Sequence, residues 1–233
     1  MWSGPRNIST ALLRSFSNRN DTIVYDEPFY SYYLKETGLN HPLKKEILNF
    51  YPSEENEVIK MILKKKKGIY YQKHMTHHIL DKTNIEWMKE GINCFLIRHP
   101  AKVIDSYLKK NILTNITDIG FKQQLRLFEY VKKNISSDII VINSEILLNN
   151  PENYLKALCK KLNIKFSKKM LNWEPNKTDY FGIWYKHWYK DIINSTGFKK
   201  NINKKIIINN KFSKIYNESM EIYDFINSYS LKI

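Results

Sequence analysis

The feature that most constrains this chain is an alternation. Short apolar runs, rich in β-branched and aromatic residues, recur between longer stretches whose apolar side chains follow helical spacing. The runs at 22–25, 69–72, 93–97 and 139–142 are too short for helices and too continuously apolar for strands with one wet face. They suit strands covered on both faces, as in a parallel sheet. Between them the pattern predicts helices over 9–16, 29–36, 54–66, 101–109, 121–133 and 151–162, with a closing one over 213–226. Strand and helix in alternation predict a doubly wound α/β fold, a parallel sheet flanked by helices. Only Met1 and Trp2 precede the first turn-forming residues, so the first strand is expected to be short or truncated. Neither repeats nor a Pro/Gly-rich linker interrupts the pattern, and residues 1–233 are read as one domain, long enough to bury a sizeable core. Residues 173–200 are aromatic, basic and irregular, and are expected to form a lid or loop.

Composition narrows compartment and partner. No apolar run approaches membrane-spanning length, and Trp2-Ser3-Gly4-Pro5-Arg6 leads into a polar loop rather than a signal-peptide core. A cytoplasmic location with no membrane partner is expected. Cys94 and Cys159 each sit inside an apolar pattern, which fits buried thiols in a reducing compartment. The formal net charge of +15 suits either a polyanionic partner or a small, highly charged ligand, but Lys is enriched together with Asn, Ile and Tyr. The lysines are scattered, the run at 64–67 reads as a solvated face, and no groove-reading motif accompanies them, so nucleic acid is not the expected partner.

Two segments carry the chemistry of anion binding. The first is Ser3-Gly4-Pro5-Arg6-Asn7-Ile8-Ser9-Thr10, followed by the apolar helical run Ala11-Leu12-Leu13-Arg14-Ser15-Phe16. A loop entering a helix offers unpaired backbone N–H groups and the positive end of the helix dipole. Ser9 and Thr10 add hydroxyls, and Arg6 adds a fixed charge with a fork of donors. The Gly-Lys-[Ser/Thr] ending of an ATP-hydrolysing loop is absent. The plainer alternative is a helix capped by Ser9. The second segment runs from Phe95 to Tyr107: a strand ends at Arg98, Pro100 opens a helix, and Ser106 lies two turns in. Arg98 and Ser106 can grip one anion; alternatively Arg98 pairs with an acid such as Asp105.

Together the two segments resemble the sulfotransferases that use the sulfate donor PAPS. In that family the loop after the first strand holds the donor's 5′-phosphosulfate, and Pro5-Arg6-Asn7-Ile8-Ser9-Thr10 stands in its place. An Arg at a strand end with a Ser eight positions on grips the 3′-phosphate, an order and spacing reproduced by Arg98 and Ser106. The runs Tyr25-Asp26-Glu27-Pro28-Phe29 and Gln72-Lys73-His74-Met75-Thr76-His77-His78 are similar to a group of bacterial sulfotransferase-family proteins. The resemblance implies a P-loop-like nucleotide-binding fold, PAPS as donor, no metal, and a small-molecule hydroxyl or amine as acceptor. It also exposes departures: Arg6 replaces the usual Lys, the loop lacks its glycine pair, and Gly182-Ile183-Trp184-Tyr185-Lys186 only partly echoes a donor-binding segment.

Sulfuryl transfer needs charge neutralisation on the leaving phosphate and a base for the acceptor. Arg6 and Lys73 are the candidates for the first task. His74 and Glu27, each read as lying just past a strand, compete for the second, and His74 is preferred because an ordinary imidazole titrates near working pH. A zinc site on His74, His77 and His78 lacks a further ligand at suitable spacing. A silent PAP-binding protein and a small-molecule kinase are the alternative functions.

Overall fold

A computed structural model describes residues 1–64, 67–200 and 206–233. Five strands form one parallel sheet: β1 (Trp2–Ser3), β2 (Thr22–Asp26), β3 (Ile69–Met75), β4 (Cys94–Ile97) and β5 (Ile140–Asn143), in the order β2-β3-β1-β4-β5. The expected short first strand has two residues and sits at the centre, Trp2 opposite His74 on one side and Phe95 on the other. Both of its residues are buried. From β1 the chain passes over β3 to reach β2, then returns through β3 and crosses β1 to reach β4. That reversal of direction at β1 opens a crevice at the carboxyl ends of the strands, where open α/β sheets take ligands.

The helices that position this crevice are α1 (Ser9–Ser17), α2 (Tyr30–Thr37), α3 (Lys44–Phe50), α4 (Glu55–Ile62), α5 (Pro100–Leu108), α6 (Phe121–Asn134), α7 (Ser144–Asn149), α8 (Pro151–Lys161), the single-turn α9 (Tyr185–Trp188) and α10 (Lys190–Ile193), and α11 (Ser213–Asn227). The helix expected over 54–66 ends at Ile62, and Lys65 and Lys66 of the lysine run lie outside the described residues.

Strand alternation divides the core in two. Phe95, Ile97 and Val141 point to one face, with Trp2, Val103, Phe128 and Tyr223. Cys94, Leu96, Ile140 and Ile142 point to the other, with Leu12, Phe16, Leu147 and Leu158. Burial on both faces is why these strands read as unbroken apolar runs. Both cysteines are buried and free. Among the described residues no helix is long and apolar enough to cross a membrane.

Candidate active site

The loop after β1 is shaped by close approach. Gly4 lies so near the carbonyl of Ile119 that a Cβ there would come within 2.6 Å of its oxygen. Gly120, at φ +74°, closes the other side, where a Cβ would meet Thr76 Oγ1 at 2.7 Å. Beyond Gly4 the backbone is left-handed at Arg6 (φ 65°) and again at Ile8 (φ 63°). A β-branched residue in that region is a true outlier, held only where its surroundings over-determine it. Left-handed turns of this kind gather successive N–H groups into a concavity suited to an anion.

Ile8 is the boundary residue of α1: its carbonyl accepts from the N–H groups of Ala11 and Leu12 at 3.0 and 3.2 Å, and no side chain caps the helix. Ser9 is therefore not the cap. The left-handed turn at Ile8 already breaks the helix, which places Ser9 and Thr10 in the first turn beside the cleft. Asn7 points inward instead, its amide donating to the Leu96 carbonyl at 3.3 Å while Oδ1 is buried with no hydrogen-bond partner.

The second anion segment is stitched to the first. Arg98 donates from Nη1 to the Arg6 carbonyl at 2.8 Å, and Arg6 Nε donates to Ser106 Oγ at 2.8 Å. Arg98 Nε is buried and without a hydrogen-bond partner, the nearest acid oxygen being Glu145 Oε1 at 3.9 Å. Burial lowers the Arg98 pKa, against the opposing pull of Glu145. Asp105, the acid considered for Arg98, pairs with Lys109 at 2.8 Å. Pro5, Arg6, Ile8, Ser9, Thr10, Arg98 and Ser106 all line one cleft of about 1020 Å³.

The opposite wall is built from the ends of β2 and β3. Lys73 is almost wholly buried, and its Nζ donates to Asp26 Oδ1 and Glu27 Oε1, both at 2.7 Å, and to Tyr189 Oη at 2.5 Å. An ammonium has three N–H groups, so Lys73 is fully committed and does not reach out as an independent charge for a leaving group. Glu27 lines the cleft with left-handed backbone, φ 48°, and its N–H bonds the Lys73 carbonyl at 2.9 Å. Burial raises the Asp26 pKa, although its ion pair with Lys73 counters it.

His74 is not brought to the cleft. The third strand runs on to Met75 instead of ending at Gln72, so alternation sends Lys73 toward the cleft and His74 to the other face. There its ring stacks on Trp2 at 4.6 Å, beside Phe29 and Trp87, and Nε2 meets the Gln72 side chain at 2.9 Å. Burial, assisted by the N-terminal ammonium, pushes its pKa well below the ordinary value. His77 and His78 do line the cleft, with His78 stacked between Tyr30 and Tyr33 at 4.8 Å from each. Burial lowers His77 to about 4 and His78 well below its usual range. Among the described residues no group of three or more His, Cys, Asp or Glu is placed to hold a metal.

Residues 173–200 cover this wall, as expected of a lid, but their aromatics serve the buried acids. Asp26 Oδ2 accepts from the Gly182 N–H at 3.3 Å and from Trp184 Nε1 at 3.1 Å, while Tyr189 Oη contacts both Asp26 oxygens at 3.1 Å. The partial Gly-x-Trp echo is thus a clamp on Asp26, and neither Gly182 nor Trp184 lines the cleft. Arg14, fully buried on α1, holds the same segment through the carbonyls of Glu174, Ile192 and Ile193. Sequence reading passed over Arg14 and Tyr189. The available signal was one charged residue in a helix whose neighbours from Ala11 to Phe16 are all buried.

A parallel sheet whose switch point carries a strained loop entering a helix, braced by an arginine from the neighbouring strand end, defines an α/β protein with its candidate site at the carboxyl ends of the strands. Residues 1–225 match the sulfotransferase domain, and the chain belongs to that family. It is similar to two Arabidopsis thaliana proteins, branched-chain-amino-acid aminotransferase-like proteins 2 and 1, at 33% and 32% identity over 199 residues. Those matches cover 84% of this chain, which spans only 35% and 36% of the relatives' length. In fold it is similar to the sulfotransferase domain of the Synechococcus PCC 7002 olefin synthase, with a TM-score of 0.57 and 14% identity, covering 96% of this chain and 92% of that one. The sulfotransferase domain of the curacin biosynthetic pathway gives 0.51 and 14%, covering 93% and 95%.

Proposed function

We propose that this chain transfers a sulfuryl group from PAPS to a hydroxyl or amine of a small-molecule acceptor. The observation that carries this reading is the stitched pair of anion segments, in which Arg98 and Ser106 are tied to Arg6 of the loop on one wall of a cleft. The residues fit the donor: a strained loop that gathers backbone donors, Ser9 and Thr10 at a helix start, and a buried Arg98 Nε still lacking an acceptor. The donor supplies a sulfuryl group on a phosphate that leaves readily. The loop N–H groups, Ser9, Thr10 and Arg6 hold the phosphosulfate end, while Arg98 and Ser106 hold the 3′-phosphate. Glu27, rather than His74, takes the acceptor's proton, because it lines the cleft opposite the loop. As the acceptor's heteroatom bonds to sulfur, the sulfur–oxygen bond to the 5′-phosphate breaks and its electron pair stays on that phosphate.

The test has two parts. Calorimetry should find that PAP binds and that ATP, lacking the 3′-phosphate, binds much more weakly; equal affinities overturn the donor assignment. Mass spectrometry of a metabolite extract incubated with the protein and labelled PAPS should then find a labelled sulfate ester or sulfamate. PAP binding with no labelled product and no PAP release would make the protein a silent binder.

A further inference from the structure

We infer that Tyr189 is a positioning residue for the proton-accepting carboxylate, and that the segment carrying it completes the active site. The inference rests on the assignment of Glu27 as base. Tyr189 Oη accepts from Lys73 Nζ and has a single hydrogen to give. Its nearest acceptor is Glu27 Oε1 at 2.8 Å, against 3.1 Å to each oxygen of Asp26. Glu27 Oε1 thus receives both the Lys73 ammonium and the Tyr189 hydroxyl. No hydrogen bond among the described residues engages Oε2, the oxygen left for an acceptor. Two donors on one oxygen fix the carboxylate plane, and the left-handed backbone of Glu27, tied to β3 through its N–H, fixes the point from which it projects. Lys73 also lies over the Tyr189 ring, 4.7 Å from its centroid, so the ring shares in holding that charge.

The hydroxyl reaches Glu27 only because its segment is seated. Asp26 binds that segment at Gly182 and Trp184, and Arg14 binds it at the carbonyls of Ile192 and Ile193. Trp188 Nε1, the next residue back, donates to Tyr30 Oη, which in turn meets His41 Nδ1 at 2.9 Å. With the segment lifted away, Glu27 keeps Lys73 but loses its second donor. The charged and titratable groups around this point are Asp26 and Glu27 from the end of β2, Lys73 from β3, Tyr30 from α2, and His41, His77 and His78 from the neighbouring loops.

The experiment is Tyr189→Phe, which keeps the ring, its packing and the cation–π contact and removes only the hydroxyl. The readout is PAP release from PAPS with water as acceptor. The expected result is a fall in kcat of about tenfold to a hundredfold, the scale of losses from misplacing a catalytic group, with PAP affinity unchanged. Site-specific difluorotyrosine at position 189 keeps both fold and hydroxyl, and should retain most of the wild-type rate. In a double-mutant cycle, adding Tyr189→Phe to Glu27→Gln should cost little further, because a positioning residue matters only while its carboxylate is present. A wild-type rate for Tyr189→Phe, or losses that multiply in the double variant, overturns the inference. A wild-type rate for Glu27→Gln instead overturns the base assignment beneath it, whatever Tyr189→Phe does.

Discussion

Arg98 is braced before any ligand arrives, one nitrogen on the Arg6 carbonyl and another buried beside Glu145 without a hydrogen bond. Bracing a guanidinium lowers the cost of ordering it on binding. Arg98→Ala should therefore cost about 2–4 kcal/mol of PAP binding, as charge-assisted contacts do when one partner is removed. Ser106→Ala should cost about 1 kcal/mol, the usual net worth of one hydrogen bond. Calorimetry with PAP checks both, and wild-type affinity in Arg98→Ala would put the 3′-phosphate elsewhere. On the far wall, Glu27→Gln should lower turnover roughly a hundredfold or more, as loss of a general base does. His74→Leu should instead cost about 1–3 kcal/mol of stability by leaving Gln72 Oε1 without its partner, with kcat of the folded protein nearly unchanged. A large fall in kcat for His74→Leu at unchanged stability would return the base to His74.

Two elements meet at the loop, and each depends on one residue that cannot be exchanged. The loop after β1 can approach the Ile119 carbonyl only because Gly4 lacks a Cβ. Gly4→Ala should displace the loop, and the prediction is a marked loss of PAP affinity with the protein still folded. Retained affinity in titration of the variant would mean that the loop has room that the geometry denies it. Helix α1 joins the loop to the covering segment through Arg14. Arg14→Met keeps the apolar stem but removes the guanidinium's bonds to three backbone carbonyls; those of Ile192 and Ile193 keep the N–H groups of Ser195 and Asn176, while that of Glu174 keeps no hydrogen bond among the described residues, at about 1–3 kcal/mol for that group. Limited proteolysis should then cut within residues 174–195 well before the rest of the chain; uniform cleavage kinetics would mean that Arg14 does not hold that segment.

For the molecule as a whole, acid is the expected weakness. His74 and His78 are buried and His77 is partly buried, and burial lowers all three folded pKa values, to about 4 for His77. A lowered folded pKa contributes stability above the unfolded value, near 6.5, and that contribution is lost as pH falls toward the folded value. His77 alone is worth up to about 3 kcal/mol across that window. Asp26 acts in the opposite sense, since its raised pKa favours the folded state in acid, but it is one group against three. Urea midpoints should fall steadily from pH 7 to pH 5, and a flat profile would mean that the three imidazoles are protonated in place.

Local pattern was enough for the parallel sheet, the helices around it and the two strand-to-helix turns that line the cleft, because strands buried on both faces and helix starts write themselves into neighbouring residues. That Arg98 and Ser106 come to one wall of the cleft was legible for the same reason: eight positions on a strand-to-helix turn give a predictable separation. The face on which His74 lies was not, since a strand that runs three residues further reverses which side chain meets the cleft. The network of Asp26, Glu27, Lys73 and Tyr189 was beyond any local reading, because it joins positions 26, 73 and 189. Only folding brings those groups within hydrogen-bond range, and only burial makes pairing them obligatory.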